Sequence, residues 1–232
     1  MTEIIASVLP FNTYEELKNK IGSLRGVVSA IQLDFCDGVF VPSQTWPFTS
    51  GGFEDYDFQK IMREEQGLPY WQEFDFEFDL MIADAVENFD TYIKLGPKRI
   101  IFHLEAMKNL EDFRDFLEGI DLYIRDNIEI GIAFKPGMPL PNVFPFMPLV
   151  DFVQCMGNDK IGISGVSLDK KIYDRTKTLR KKYPDLPIEI DIGITEETAP
   201  LLVQAGATRL ITGSLLFRSD DKIGLVEKLK NL

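Results

Sequence analysis

Short runs of β-branched and aromatic residues alternate along the chain with longer stretches whose apolar residues recur every three or four positions. The short runs predict strands at 4–9, 27–35, 74–81, 99–104, 128–134, 150–155, 188–191 and 209–212. Asn12-Thr13-Tyr14-Glu15 has the form of a capping box and opens a helix through residue 24. Further helices are expected at 56–65, at 83–95 (stopped by Gly96-Pro97), at 109–120, at 168–183, at 195–204 (ended by Gly206), and after the last strand to residue 232. The segment after residue 134 reads as a Pro-rich connection.

Strict alternation of strand and helix implies parallel strands joined by right-handed crossovers. An open dinucleotide-binding sheet would carry G-x-G-x-x-G after its first strand, and no such motif is present. The expected architecture is therefore α/β, a single-domain (β/α)8 TIM barrel spanning residues 1–232. The irregular stretch 43–72 is expected as an extended loop on the catalytic face. Its Trp46, Phe48, Tyr70 and Trp71 read first as packing that pins the loop, and second as pocket lining.

Composition sharpens this picture in two ways. With 37 acidic against 25 basic residues the net charge is −12, which disfavours nucleic acid and anionic membranes as partners but leaves room for an anionic small molecule held by backbone N–H groups. The two cysteines, Cys36 and Cys155, have no metal-knuckle spacing and read as small core fillers. The single histidine rules out any two-imidazole site within one chain. The first residues lack a signal-peptide layout and no apolar run reaches membrane-spanning length, so a cytoplasmic location is expected.

Barrel enzymes place their chemistry where strands end. Those positions hold Ser7, Gln32, Asp34, Asp79, His103, Lys135, Met156, Asp191, Gly213 and Ser214. Asp34 and Asp191 come from opposite sides of the predicted ring, an arrangement suited to removing a proton from one face of a carbon and returning one to the other. His103 reads as a packed interior residue. Lys135 reads either as a surface lysine or as a cation offsetting the aspartates.

Several segments resemble the ribulose-phosphate 3-epimerase family. Residues 31–42, Ile-Gln-Leu-Asp-Phe-Cys-Asp-Gly-Val-Phe-Val-Pro, are similar to its H-x-D-x-M-D-G-x-F-V-P-N signature. Ala6-Ser7-Val8-Leu9 resembles its P-S-I-L, Phe102-His103-Leu104-Glu105-Ala106 its V-H-x-E-A, and Ile190-Asp191-Ile192-Gly193-Ile194 its V-D-G-G-V. Thr212-Gly213-Ser214 resembles the family's terminal A-G-S. The resemblance implies an isomerase of pentose phosphate chemistry, a ketose-phosphate 3-epimerase of the ribulose 5-phosphate/xylulose 5-phosphate type, with Asp34 and Asp191 as the acid and base. It further implies substrate and phosphate contacts at Ser7, Gly162, Gly165, Gly193, Gly213 and Ser214, a phosphorylated ketose as partner, and a homo-oligomer.

The family's metal is held by two histidines and two aspartates, and Gln32 and Asp79 stand at the histidine positions. A retained divalent ion, Mg, Mn or Zn, on Gln32, Asp34, Asp79 and Asp191 is the favoured expectation, because three aspartates together would otherwise repel one another. The phosphate loop departs as well, with Gly162-Ile163-Ser164-Gly165 laid on the family's G-F-G-G. The alternative to an active epimerase is a catalytically degenerate barrel that binds a phosphosugar. A related decarboxylase is disfavoured because no lysine lies between Asp34 and Asp37.

Overall fold

In a computed structural model describing residues 1–232, eight parallel strands close into a barrel in sequential order. They are β1 Glu3–Val8, β2 Ala30–Cys36, β3 Asp75–Met81, β4 Arg99–His103, β5 Glu129–Phe134, β6 Phe152–Met156, β7 Ile188–Asp191 and β8 Arg209–Ile211. All eight expected strands are present, with ends displaced by no more than about three residues, and β8 pairs with β1 to complete the ring.

The alternation within each strand decides what lies on either side of the sheet. In β3, Phe76, Phe78 and Leu80 join the large core under the helices, as do Ile31, Leu33 and Phe35 of β2 and Ile100 and Phe102 of β4. The residues between them face the barrel axis, and many are polar. Gln32, Asp34, Glu77, Asp79, Arg99, His103, Gln154 and Glu189 are all buried. The two-residue period separates an apolar outer face from a partly charged inner one.

The axis is filled. Gly131 on β5 leaves a slot for the Phe152 ring of β6, and a Cβ at 131 would lie 2.4 Å from that ring. Phe152 packs with Ile101, Ala133, Met81, Cys36 and Met156 in an inner apolar plug. Beneath it, at the N-terminal end, Arg99 pairs with Glu3 and Glu77 at 2.9 and 2.8 Å, and Arg209 with Glu3, Glu129 and Glu189 at 2.8–3.0 Å.

The capping box of the first helix forms one residue later than the expected Asn12–Glu15. Thr13 accepts the Glu16 N–H at the start of α1 Tyr14–Gly22, while the Glu16 carboxylate takes the Asn12 N–H. Asp55 caps α2 Tyr56–Met62 and also accepts the Trp46 indole N–H at 2.8 Å. Expected helix 83–95 forms only as α3 Phe89–Ile93, after a stretch of turns. α4 Leu110–Gly119 matches expectation, whereas α5 Leu122–Asn127 and α6 Leu140–Val143 occupy segments read as connections. Three longer elements, α7 Lys171–Lys182, α8 Thr198–Ala205 and α10 Lys222–Lys230, flank a one-turn helix α9 Ser214–Arg218 after β8.

The 43–72 stretch folds back on α1. Trp46 is buried, its backbone N–H donates to Phe11, and Tyr14 meets it edge-on at 5.5 Å while donating to the Gly67 carbonyl. Packing accounts for most of its aromatics, whereas Tyr56 and Trp71 stand well exposed. No helix of the structure is long and apolar enough to cross a membrane.

Candidate active site

A cleft of about 390 Å3 opens at the C-terminal mouth of the barrel, bounded by Ser7, Asp34, Asp191, the 162–168 loop, Gly193 and Gly213–Ser214. Residues expected to carry substrate contacts, from β1, β2, β7, the loop after β6 and the end of β8, thus share one cavity. Asp34 points inward from β2 because it alternates with Leu33 and Phe35, which face the helices. Its Oδ2 accepts the Ser7 hydroxyl at 3.0 Å and its Oδ1 the Gln32 amide at 2.7 Å. Asp191 ends β7 at the cleft wall, where its Oδ1 accepts the Ile192 N–H at 2.8 Å.

These two carboxyl groups are electrostatically linked. Burial pushes Asp34 up to about 7, helped by the neighbouring Asp79 charge and opposed by the donors Gln32 and Ser7. Asp191 is held well above the ordinary carboxylate range by burial and then by the charges of Asp34 and Asp79. The pair therefore favours a state in which it keeps a proton, with one member ionised and the other protonated.

Asp79 lies deeper and does not line the cleft. Both of its oxygens are engaged: Oδ1 is 2.5 Å from His103 Nε2, and Oδ2 accepts the Gln154 amide at 3.0 Å. All three side chains are fully buried. The four residues expected to hold a divalent ion, Gln32, Asp34, Asp79 and Asp191, do not form a group that could hold one, and no set of three or more His, Cys, Asp or Glu side chains does so. The physical reason is that Asp34 and Asp79 each have both oxygens turned to protein N–H or O–H donors, so their lone pairs do not converge on a common point. The residues present do not fit the implied ion.

The mouth is shaped by backbone as much as by side chains. Gly193 has φ +77°, and a Cβ there would lie 2.5 Å from the Leu168 N, so only glycine lets the 162–168 loop pack on the end of β7. Gly162 and Gly165 also have positive φ, and the Ser43 hydroxyl donates to the Gly162 carbonyl, joining the loops after β2 and β6. The N–H groups of Gly193, Gly213 and Ser214 make no hydrogen bond within the protein and border the cleft. Arg218, one turn along α9 with its Nη2 3.3 Å from Ser214 Oγ, adds a cation to the same wall.

Ile192 departs from the pattern in conformation. It adopts φ +74°, a region costly for a β-branched residue by about 1–3 kcal/mol. Its side chain packs on the inner apolar plug, which supplies the compensating contact.

Other candidates fall outside the cleft. Lys135 does not line it; its Nζ lies 5.1 Å over the Phe40 ring. Cys36 and Cys155 are fully buried, and burial pushes both thiols up, which removes them as nucleophiles. Reading strand ends alone missed Gln154 and the depth of the Asp79–His103 pair. The alternation of Phe152-Val153-Gln154-Cys155-Met156 was the signal available for Gln154. Arg218 had no motif to announce it.

Comparison with known proteins places this geometry in a lineage. The model of the ribulose-phosphate 3 epimerase family matches residues 3–217. Ribulose-phosphate 3-epimerase of Schizosaccharomyces pombe is 26% identical over 98% of this chain and 92% of its own length, and that of Bacillus subtilis is 25% identical over 99% of each. A shorter match, 28% identical over 67% of this chain, covers 62% of the Eremothecium gossypii ribulose-phosphate 3-epimerase. Among solved structures, KGPDC from Streptococcus mutans superposes with a TM-score of 0.69 at 12% identity, covering 99% of this chain and 96% of that one. A 3-hexulose-6-phosphate synthase gives 0.65 at 15% identity, over 100% and 99%. At such identities these two speak for the barrel fold alone. Matched over nearly its whole length, the chain belongs to the ribulose-phosphate 3-epimerase family.

Proposed function

We propose that the protein is an isomerase that epimerises a phosphorylated ketose at the carbon next to its carbonyl, with Asp34 and Asp191 as the proton-transferring pair. One observation carries the reading: two carboxyl groups from β2 and β7 border the same cleft, and burial holds both above the usual range, with repulsion from Asp79 on Asp34 and from Asp34 and Asp79 on Asp191. A carboxylate raised toward neutrality is a stronger base and matches a weakly acidic carbon better. Asp34 accepts the C3 proton as the C–H pair moves into an enediolate. Asp191, holding its proton, delivers it to the opposite face and re-forms the carbonyl with inverted configuration. Ser7 and Gln32 orient the Asp34 carboxylate by occupying one oxygen each.

The unpaired N–H groups of Gly193, Gly213 and Ser214, with Arg218 beside them, are the seat for the phosphate; the backbone of Gly162 and Gly165 closes the cleft over the sugar. The family and the names of its relatives support ribulose 5-phosphate as first substrate.

Incubation with ribulose 5-phosphate in deuterated water tests this. Deuterium entering C3, with xylulose 5-phosphate appearing in parallel, is the expected result. Binding of several ketose phosphates without exchange into any of them would leave a phosphosugar-binding barrel without epimerase activity.

A further inference from the structure

We infer that this chain works without a divalent ion, and that Asp79, standing where the family resemblance implies a metal ligand, is a positioning residue locked to His103 and Gln154. The argument concerns where donors point. A divalent cation needs several oxygen or nitrogen lone pairs converging on one point at about 2.0–2.6 Å. Here the aspartate oxygens face hydrogens instead, while the amide oxygens of Gln32 and Gln154 and Nδ1 of His103 stand without a partner. The Gln32 amide and Ser7 hydroxyl point at Asp34, and the His103 edge and Gln154 amide point at Asp79. An ion taking the lone pairs that these donors now occupy would displace up to four hydrogen bonds formed by side chains that are nearly or fully buried. Each displaced donor would then be left without a partner inside the barrel, which is unfavourable for a buried polar group.

The substitutions act together. Glutamine at 32 exchanges an imidazole nitrogen for an amide that spends an N–H on Asp34 two residues on. Aspartate at 79 exchanges a second imidazole for a carboxylate, and that carboxylate is drawn to the chain's single histidine on the adjacent strand β4 and to Gln154 across the barrel on β6. The outcome is a bracket spanning β3, β4 and β6 beneath the proton-transferring pair. It fixes the floor of the cleft through side chains alone.

The inference rests on the reading of Asp34 and Asp191 as the reacting pair only for its kinetic arm; its binding arm stands apart from any activity. Protein purified and then dialysed against Zn2+ or Mn2+ is expected to retain a substoichiometric amount of either. Its melting temperature should be the same in EDTA as in millimolar Mn2+. The double variant Gln32→His/Asp79→His, which restores two imidazoles, should gain one equivalent of bound metal. Deuterium exchange into the ketose phosphate should be indifferent to chelator. One equivalent of metal held by the unaltered protein, or a melting temperature raised by Mn2+ and no longer raised in Asp79→Asn, overturns the inference whether or not the double variant folds. Exchange absent both with and without metal counts against the epimerase reading, while the dialysis result still decides the metal.

Discussion

The two ends of the barrel axis handle buried acids in opposite ways. At the N-terminal end four glutamates, Glu3, Glu77, Glu129 and Glu189, surround two arginines whose guanidinium forks reach two or three carboxylates each. At the mouth, Asp34, Asp79 and Asp191 have no arginine or lysine among their hydrogen-bonding partners, which are neutral donors and one imidazole. A guanidinium is always charged and holds its partners in place, so the lower layer works as a fixed clamp. Amide, hydroxyl and imidazole donors orient a carboxylate without tying it to a permanent charge, so the acids of the upper layer lack a fixed counter-ion. Placement along a strand decides which regime an acid enters: on β3, Glu77 and Asp79 are two residues apart on the same inward face and belong to different layers.

The sharpest way to break this contrast is to remove one acid from each end. Asp34→Asn or Asp191→Asn should lower deuterium exchange by about 100- to 10,000-fold with little change in melting temperature. Glu77→Gln, in the lower layer, should leave exchange within a few-fold. If Glu77→Gln silenced exchange as fully as Asp34→Asn, the division of labour would fail.

Next in size is loss of a clamp. Arg209→Met leaves Glu129 and Glu189 without a salt-bridge partner and Glu3 with Arg99 alone, and chemical denaturation should show a loss of about 3–5 kcal/mol. Smaller, and located between the two layers, Gly131→Ala drives a methyl into the Phe152 ring. Overpacking should cost about 1–3 kcal/mol.

The gentlest test is pH. Burial holds Glu189 at about 7 against the pull of Arg209 and Arg99, and raises Glu77 as well, with the Glu189 charge behind burial. Acids raised in the folded state bind more protons there than in the unfolded chain. Their contribution is complete below the unfolded value near 4.5 and is lost as pH rises through about 7. Asp34 and Asp191 act with the same sign. Stability should therefore decline from about pH 5 to pH 8, and Glu77→Gln should flatten the slope. Exchange should rise over the same interval as Asp34 ionises, so that activity and stability move in opposite directions.

Much of this was legible in the residues. Eight β-rich runs separated by amphipathic stretches gave the barrel, because parallel strands with helical crossovers leave few alternatives at this length. The cleft followed from strand ends and quoted motifs, and Ser7, Asp34, Gly162, Gly165, Asp191, Gly193, Gly213 and Ser214 all border one cavity. What escaped was how polar residues pair across the axis. Asp79 on β3 meets His103 on β4 and Gln154 on β6, and nothing local in Phe78-Asp79-Leu80 distinguishes a side chain aimed at an ion from one aimed at a neighbour. The helix expected at 83–95 shrank to Phe89–Ile93, and α5 arose where a connection was read. Short helices on a barrel's outside are set by packing on the sheet more than by their own period.

The ring of Phe152, seated in the gap left at Gly131, makes the cylinder blind at one end. Asp34 and Asp191 border the cleft at the mouth, and a sugar phosphate lodged there would act as a cork. The proportion of substrate tritium that returns to product instead of escaping would then gauge how tightly the cork fits, turning a packing detail at the far strand into something countable in a product pool.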